Sequence, residues 1–284
     1  MEAGAGLPGG SIRFRLDGAA RSVYNRPPVR AAITKIETYL PKTLPDMLRQ
    51  FGLVFLVYTG YQLVRGLSES SDVLAFVNAD RIVDLERSVG LFFEPNLQGA
   101  ALHHDWIIEI ADFMYMNSHF TLTIGFFAWL YLFQNDHFYF VRNVFMVTMA
   151  LALVGYAFYP TAPPRLFPEY DFQGTLTVYA GIDQDGDAAK LLVNSYAAVP
   201  SMHCGFALIV GVTCVSLVKN WVAKIVWTIY PVLVFFVTIV TANHFWLDGF
   251  LGAVVVATAT AAAALMARAR PAAWAFRPVA ESTA

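Results

Sequence analysis

The sequence predicts an all-α, polytopic membrane protein: six transmembrane helices, with an outer amphipathic helix between spans one and two. Three observations predict it. Hydrophobic residues make up 57% of the 284-residue chain and charged residues only 14%, where a soluble domain carries about 25% charged residues. Apolar runs of bilayer-spanning length, about 17–25 residues, recur between polar connections. Lysine and arginine gather on one set of those connections and acids on the other. The formal net charge of −2 and the lack of a basic, aromatic groove give no sign of a nucleic-acid partner.

The first segment, residues 1–48, is basic, contains Gly and Pro, and has no apolar stretch near its start. That argues against a cleaved signal peptide. Residues 1–30 read as a mobile tail. Ile33, Ile36, Tyr39 and Leu40 are spaced for a short surface helix over 31–48. Residues 49–268 form the membrane domain, with spans expected over 49–67, 104–133, 139–159, 201–218, 222–241 and 246–267. The sixth span is rich in alanine, and small residues let helices approach closely in lipid, so it should pack inside the bundle. Residues 269–284 are a C-terminal tail.

Charge sets the orientation, because lysine and arginine favour the cytoplasmic side. Fourteen of the 19 Lys and Arg, Arg142 among them, lie on or beside the side that holds 1–48, the 134–138 loop, the 219–224 turn and the C-terminal tail. That side should be cytoplasmic, with both termini inside. Residues 68–103, 160–200 and 242–245 then face outside or a lumen, and they carry acids including Glu69, Asp72, Asp80, Asp84, Glu86, Glu94, Asp183, Asp185 and Asp187. The outer helix is expected over 72–89, with Asp72 at its start and Gly90 as its stop. Its apolar stripe is Val73, Phe76, Val77, Ile82, Val83, Leu85 and Val89. It reads as an ordinary connector or cap more readily than as a substrate lid.

Three polar segments fall at one membrane depth on the outer side: "YPTAPPRLF" (159–167), "PSMH" (200–203) and "NHFWLD" (243–248). Ionisable groups near hydrocarbon are costly and tend to be functional. His244 and Asp248 are four apart, so on a helix the carboxylate can reach one ring nitrogen and orient the other. Such a histidine serves as nucleophile or general base, and His203 can supply the complementary acid. Ser201, Met202 and the amides beside them open span four and suit an anion. Arg165 offers a fork for phosphate oxygens. A cation, a helix N-terminus and two histidines together point to phosphoryl transfer. Plainer roles are also open: Arg165 as a loop anchor and Ser201 as an N-cap, while Asn243 either orients a loop or contacts substrate.

Span two carries "EIADFMYMNSHF" (109–120), where Glu109, Asp112 and His119 fall near one helical face. In lipid this stripe must face the bundle interior. It fits a head-group or acceptor contact, a structural hydrogen-bond network, or the path of a transporter. Cys204 and Cys214 sit in one apolar run without metal-ligand spacing and read as small buried residues. "DQDGDAAK" (183–190) echoes the start of a calcium loop but lacks the later glutamate, so it reads as an acidic turn. A metal held by His203, His244 and Asp248 is the remaining rival.

"PSMH" followed by "HFWLD" resembles two signatures of the type-2 phosphatidic acid phosphatase superfamily, which shares the vanadium haloperoxidase fold. "PTAPPRL", "NSYAAVPSMH", "NHFWLD" and "IVDLERSVGLFFEPNLQ" (82–98) look closer to its inositol phosphorylceramide synthase-like branch. The resemblance spans about 50–268. It implies that His244 attacks phosphorus to form a phosphohistidine, that Asp248 orients it, and that His203 protonates the leaving alcohol. It further implies that Arg165 binds phosphate, and that water or an alcohol completes the reaction without metal or other cofactor. The implied substrate is a phospholipid, or a polyprenyl- or sphingolipid-type phosphate. Two positions depart from the family pattern: Met202 stands where glycine is usual, and Thr238 where an arginine precedes the histidine. A second phosphate cation must then come from elsewhere, with Lys190 one candidate. The expected activity is a lipid phosphotransferase or phosphatase at the non-cytoplasmic face, with simple hydrolysis as the alternative.

Overall fold

The computed structural model describes residues 34, 37–67, 72–181 and 194–270, without the side chains of 65–67, 118, 119 and 168. The tail to residue 33, Ile36, the 183–190 turn with Lys190, and the tail beyond 270 lie outside the described residues. Tyr39 and Leu40 lie in a turn and bend instead of the expected surface helix. The chain divides after Arg49, and the unit beginning at Gln50 holds the candidate site.

The described secondary structure is helical apart from one isolated bridge between Thr161 and Ala197. In chain order the helices are α1 (Leu44–Leu67), α2 (Asp72–Ser88), α3 (Glu94–Leu102), α4 (Asp105–Asn117), α5 (Thr123–Phe133), α6 (Asn135–Phe158), the single turn α7 (Thr175–Val178), α8 (Met202–Leu217), α9 (Trp221–Val240) and α10 (Trp246–Ala269). Three of them, α6, α9 and α10, are long and apolar enough to cross a bilayer. The other expected spans fall short for identifiable reasons. α1 mixes Gln50, Gln62 and Arg65 into its apolar run. The second span is interrupted by a π-helical turn over Ser118–Leu122 that separates α4 from α5. α8 has 16 residues, about 24 Å of helix against a hydrocarbon core of about 30 Å. Large apolar side chains stand outward on these helices, including Phe55 and Leu56 on α1 and Trp221, Val226 and Val232 on α9. Exposed apolar faces of that extent suit contact with lipid.

Small residues set the close contacts. α10 buries Gly249, Gly252, Val256, Ala259 and Ala263 along one stripe. Its other faces stay open at Phe250, Val254 and Leu265. The expectation of an interior helix thus holds for one stripe only. Gly252 packs so tightly on the start of α8 that a Cβ there would meet the Ser201 carbonyl oxygen at 2.4 Å. That approach is available to glycine alone.

Arg142, counted with the basic side, lies near the start of α6 and is fully buried. Its guanidinium donates to Asn143 at 2.7 and 3.2 Å and to the buried Gln50 side chain. Burying the charge requires those acceptors, since an unpaired buried cation costs several kcal/mol or more.

The outer helix is present as α2, with Asp72 in its first turn and Gly90 at φ +71° just after it. Its buried face is Ala75, Asn78, Ala79, Ile82, Val83 and Glu86, a period of three and four. Val73, Val77, Leu85 and Val89, expected in the apolar stripe, are exposed. The alanines win because they let the helix sit close against Ala162, Phe167, Phe172, Val199, Ala242 and Phe245. α2 is therefore a packed cap over the loops that carry the site.

Candidate active site

The site is built where three loops meet beneath α2. The loop after α6 returns through two short 3-10 turns, Pro164–Leu166 and Pro168–Tyr170. It is pinned by Asn78 Nδ2 donating to the Pro160 carbonyl at 2.8 Å and by Arg165 N donating to the Ala242 carbonyl at 2.9 Å. The second loop runs into α8. Thr161 N donates to the Tyr196 carbonyl at 2.7 Å, and Tyr156 donates its hydroxyl to the Pro200 carbonyl at 3.0 Å. The third joins α9 to α10. There Ala242 adopts φ +51°, and the Thr238 carbonyl accepts from both Asn243 N and His244 N at 3.1 Å. A non-glycine residue in that region carries a cost of order 1 kcal/mol or more and persists only where its surroundings enforce it.

These loops bring together the residues singled out from sequence. His244 Nδ1 lies 3.2 Å from Asp248 Oδ2, and both are buried, at 7% and 0% exposure. The carboxylate also accepts from Phe245 N at 3.0 Å, so one oxygen holds both the ring and the backbone entering α10. The Nδ1 contact leaves Nε2 as the ring nitrogen for chemistry. The His203 ring centre is 6.1 Å from that of His244, close enough for one tetrahedral group to touch both. Arg165 Nη1 donates to Asn243 Oδ1 at 2.9 Å, and Asn243 Nδ2 donates to Thr241 Oγ at 2.9 Å. The guanidinium is thereby anchored to the residue next to His244.

Ser201 is fully buried and N-caps α8, accepting from Cys204 N at 3.5 Å. Its own N–H donates to the Asp248 carbonyl at 3.0 Å, which stitches the start of α8 to the start of α10. Met202, in the position where glycine was expected, is accommodated by Gly205. Its buried side chain ends 3.3 Å from where a Gly205 Cβ would stand. Thr238 supplies no cation. Its hydroxyl donates to the Phe235 carbonyl at 2.8 Å, and its carbonyl carries the turn just described. Cys204 and Cys214 are both free and buried.

The span-two stripe divides. Asp112 is buried on α4 and accepts from Thr175 Oγ at 2.6 Å, while its Oδ2 has no hydrogen-bond partner. It lines a cavity of about 470 Å³ with Glu109, Phe113, Met116, Asn117, Tyr179 and Ala180. His119 sits in the π-helical turn, its side chain outside the described set. Among the described residues no three His, Cys, Asp or Glu side chains are grouped to hold a metal ion.

Several residues at the site were not picked out from sequence. Tyr115 stacks on His203 with ring centres 4.1 Å apart, and only its position three residues after Asp112 hinted at that. Glu86 and Glu94 were read simply as outer acids. Both are fully buried, and their Oε1 atoms accept from Leu247 N at 3.2 Å and Trp246 N at 2.9 Å. Burial first, then the neighbouring Glu94, pushes the Glu86 carboxyl up to about 10.

Among the described residues, two histidines, a buried aspartate, an arginine and the start of a helix come together in a helical bundle. The sequence matches the family model of the PAP2 superfamily over residues 80–263, and the chain belongs to that superfamily. Membership points to a phosphatase-type enzyme acting on phosphate esters, with water or an alcohol as acceptor. No curated protein and no solved structure matches the chain.

Proposed function

We propose that the protein is a membrane lipid phosphotransferase or phosphatase working through a phosphohistidine on His244. The observation that carries this reading is the buried Asp248–His244 contact at 3.2 Å with His203 across from it. His244 Nε2 attacks phosphorus, the bond from phosphorus to the lipid alcohol oxygen breaks, and His203 gives its proton to the departing oxygen. An acceptor hydroxyl then gives its proton to His203 as its oxygen attacks phosphorus and the N–P bond breaks. Arg165, Ser201 and the Met202 amide hold the phosphate oxygens, and Asn243 keeps Arg165 in place. The cavity beside Asp112 suits a hydroxylated acceptor, because a buried carboxylate oxygen without a partner is a ready hydrogen-bond acceptor. The candidate Lys190 would complete the phosphate clamp.

The bundle reads as six spans formed by α1, α4 with α5, α6, α8, α9 and α10. The positive-charge bias supports cytoplasmic termini and a site on the outer or lumenal side. The substrate is a phospholipid or a polyprenyl- or sphingolipid-type phosphate that enters between helices. The lack of a cation at Thr238 and the Asp112 cavity favour transfer over plain hydrolysis and fit the inositol phosphorylceramide synthase-like branch. Incubation of the purified protein with labelled lipid phosphates and candidate polyols tests this. A new labelled phosphate ester of the polyol marks a transferase, and label released only as free phosphate or free phospho-head group marks a hydrolase. Turnover that survives His244→Ala sinks both.

A further inference from the structure

We propose that Glu86 and Glu94 form a carboxyl pair sharing one proton, and that this pair positions His244 and Asp248 by gripping the backbone at the start of α10. The proposal rests on the reading of His244 as the nucleophile. A helix leaves its first N–H groups without intrahelical partners. At α10 three of them go to carboxylates: Phe245 N to Asp248, Trp246 N to Glu94 and Leu247 N to Glu86. The fourth, Asp248 N, donates to the Phe245 carbonyl at 3.2 Å. Both glutamates come from the elbow between α2 and α3, remote in sequence from the site.

Three ionised carboxylates buried around one helix end would repel one another strongly. The groups facing Glu86 are Glu94 on α3 and, on α10, Asp248 and the Leu247 amide. The two side chains take amides of adjacent residues, Trp246 N and Leu247 N, which sets the two carboxyl groups beside each other at one helix end. Each has spent Oε1 on a backbone amide, and each Oε2 lacks a donor of its own. Two carboxyl groups can bond only if one carries a proton, and the raised value for Glu86 agrees with its being the donor.

The elbow is itself held. Gly90 turns the chain out of α2, and Leu91 N donates to the Glu86 carbonyl at 2.8 Å. One turn beyond Glu94, Gln98 Nε2 donates to the Gln173 carbonyl at 2.8 Å and to the Val240 carbonyl at 2.9 Å. Val240 ends α9 and Trp246 begins α10. The α2–α3 elbow therefore clamps the 241–245 loop, with His244 on it, from both ends.

The sign of the pH effect follows. In the folded chain Glu86 keeps its proton to about 10, against an ordinary value of 4.5. The stability contributed by the protonated pair is lost as pH rises through that range. The test is thermal unfolding of the full chain in detergent between pH 7 and 10, with hydrogen exchange of segment 243–249 and turnover of phosphatidic acid in mixed micelles. The wild type should lose roughly 5 °C or more across the range. E86Q, whose amide donates to Glu94 and accepts from Leu247 without titrating, should be nearly flat. E86A should exchange faster over 243–249 and lose kcat by about 10²-fold with KM within about threefold. E86Q should restore most of that loss. Parallel pH slopes for wild type and E86Q overturn the proposal, as does a loss confined to KM. If E86A does not fold, the comparison of wild type with E86Q still decides. Because unfolding does not depend on turnover, activity surviving in His244→Ala would remove the phosphohistidine reading while leaving this comparison intact.

Discussion

Two helix N-termini meet at the candidate site, and they are finished differently. The start of α8 is capped by one hydroxyl, Ser201, over a long 3.5 Å bond. The start of α10 is finished by carboxyl groups from Glu86, Glu94 and Asp248. Both ends carry the partial positive charge of a helix N-terminus. At α10 that charge is already met by acids, and a phosphate would be repelled there. At α8 the cap is neutral, and Arg165 adds a cation across the 241–245 loop. The contrast fits the proposed division of tasks, with the anion at α8 and the histidine and aspartate held by α10. Ser201 N bonded to the Asp248 carbonyl keeps them in register.

Five substitutions at four positions probe this division. The largest effect is expected for His244→Ala, which leaves the capped α10 intact but removes the proposed nucleophile. Turnover of a labelled lipid phosphate should fall by at least about 10³-fold while far-UV circular dichroism is unchanged. His203→Ala, at the mouth of α8, should cost about 10²–10⁴-fold with alkyl leaving groups and clearly less with an acidic leaving group such as nitrophenol. An equal loss on both substrates would count against a proton donor. Gly252→Ala pushes the two helix starts apart, since its Cβ would stand 2.4 Å from the Ser201 oxygen. It should destabilise the protein by about 1–3 kcal/mol, seen as a lower unfolding midpoint in detergent, and reduce kcat as well. Ser201→Ala removes the weak cap and should cost about 1 kcal/mol in stability. Ser201→Gly should cost a few tenths, and an increase in KM beyond either stability loss would report phosphate contact.

The catalytic candidates were legible because costly polar residues stood at membrane depth in an apolar chain. His244 and Asp248 are four apart on one strand of sequence, and Ser201 precedes an apolar run in the manner of an N-cap. The outer helix was legible in its ends, through Asp72 and Gly90, but not in its face. Periodicity pointed to the valines, whereas the alanines pack because closeness matters more there than apolar bulk. The burial of Arg142 was not legible either, because its partner Gln50 is 92 residues away.

Local pattern alone determined that the chain is helical and apolar enough to cross a membrane, and which side chains are the candidates for the chemistry. Periodicity, capping and the cost of burying charge are all properties of neighbouring residues. Only the tertiary structure decided that Tyr115 stacks on His203, that Gly252 sets the spacing of two helix starts, and that Glu86 and Glu94 are buried beneath α2. An exposed acid and a buried, proton-sharing one look alike in sequence. What separates them is the desolvation and hydrogen bonding imposed by segments distant along the chain.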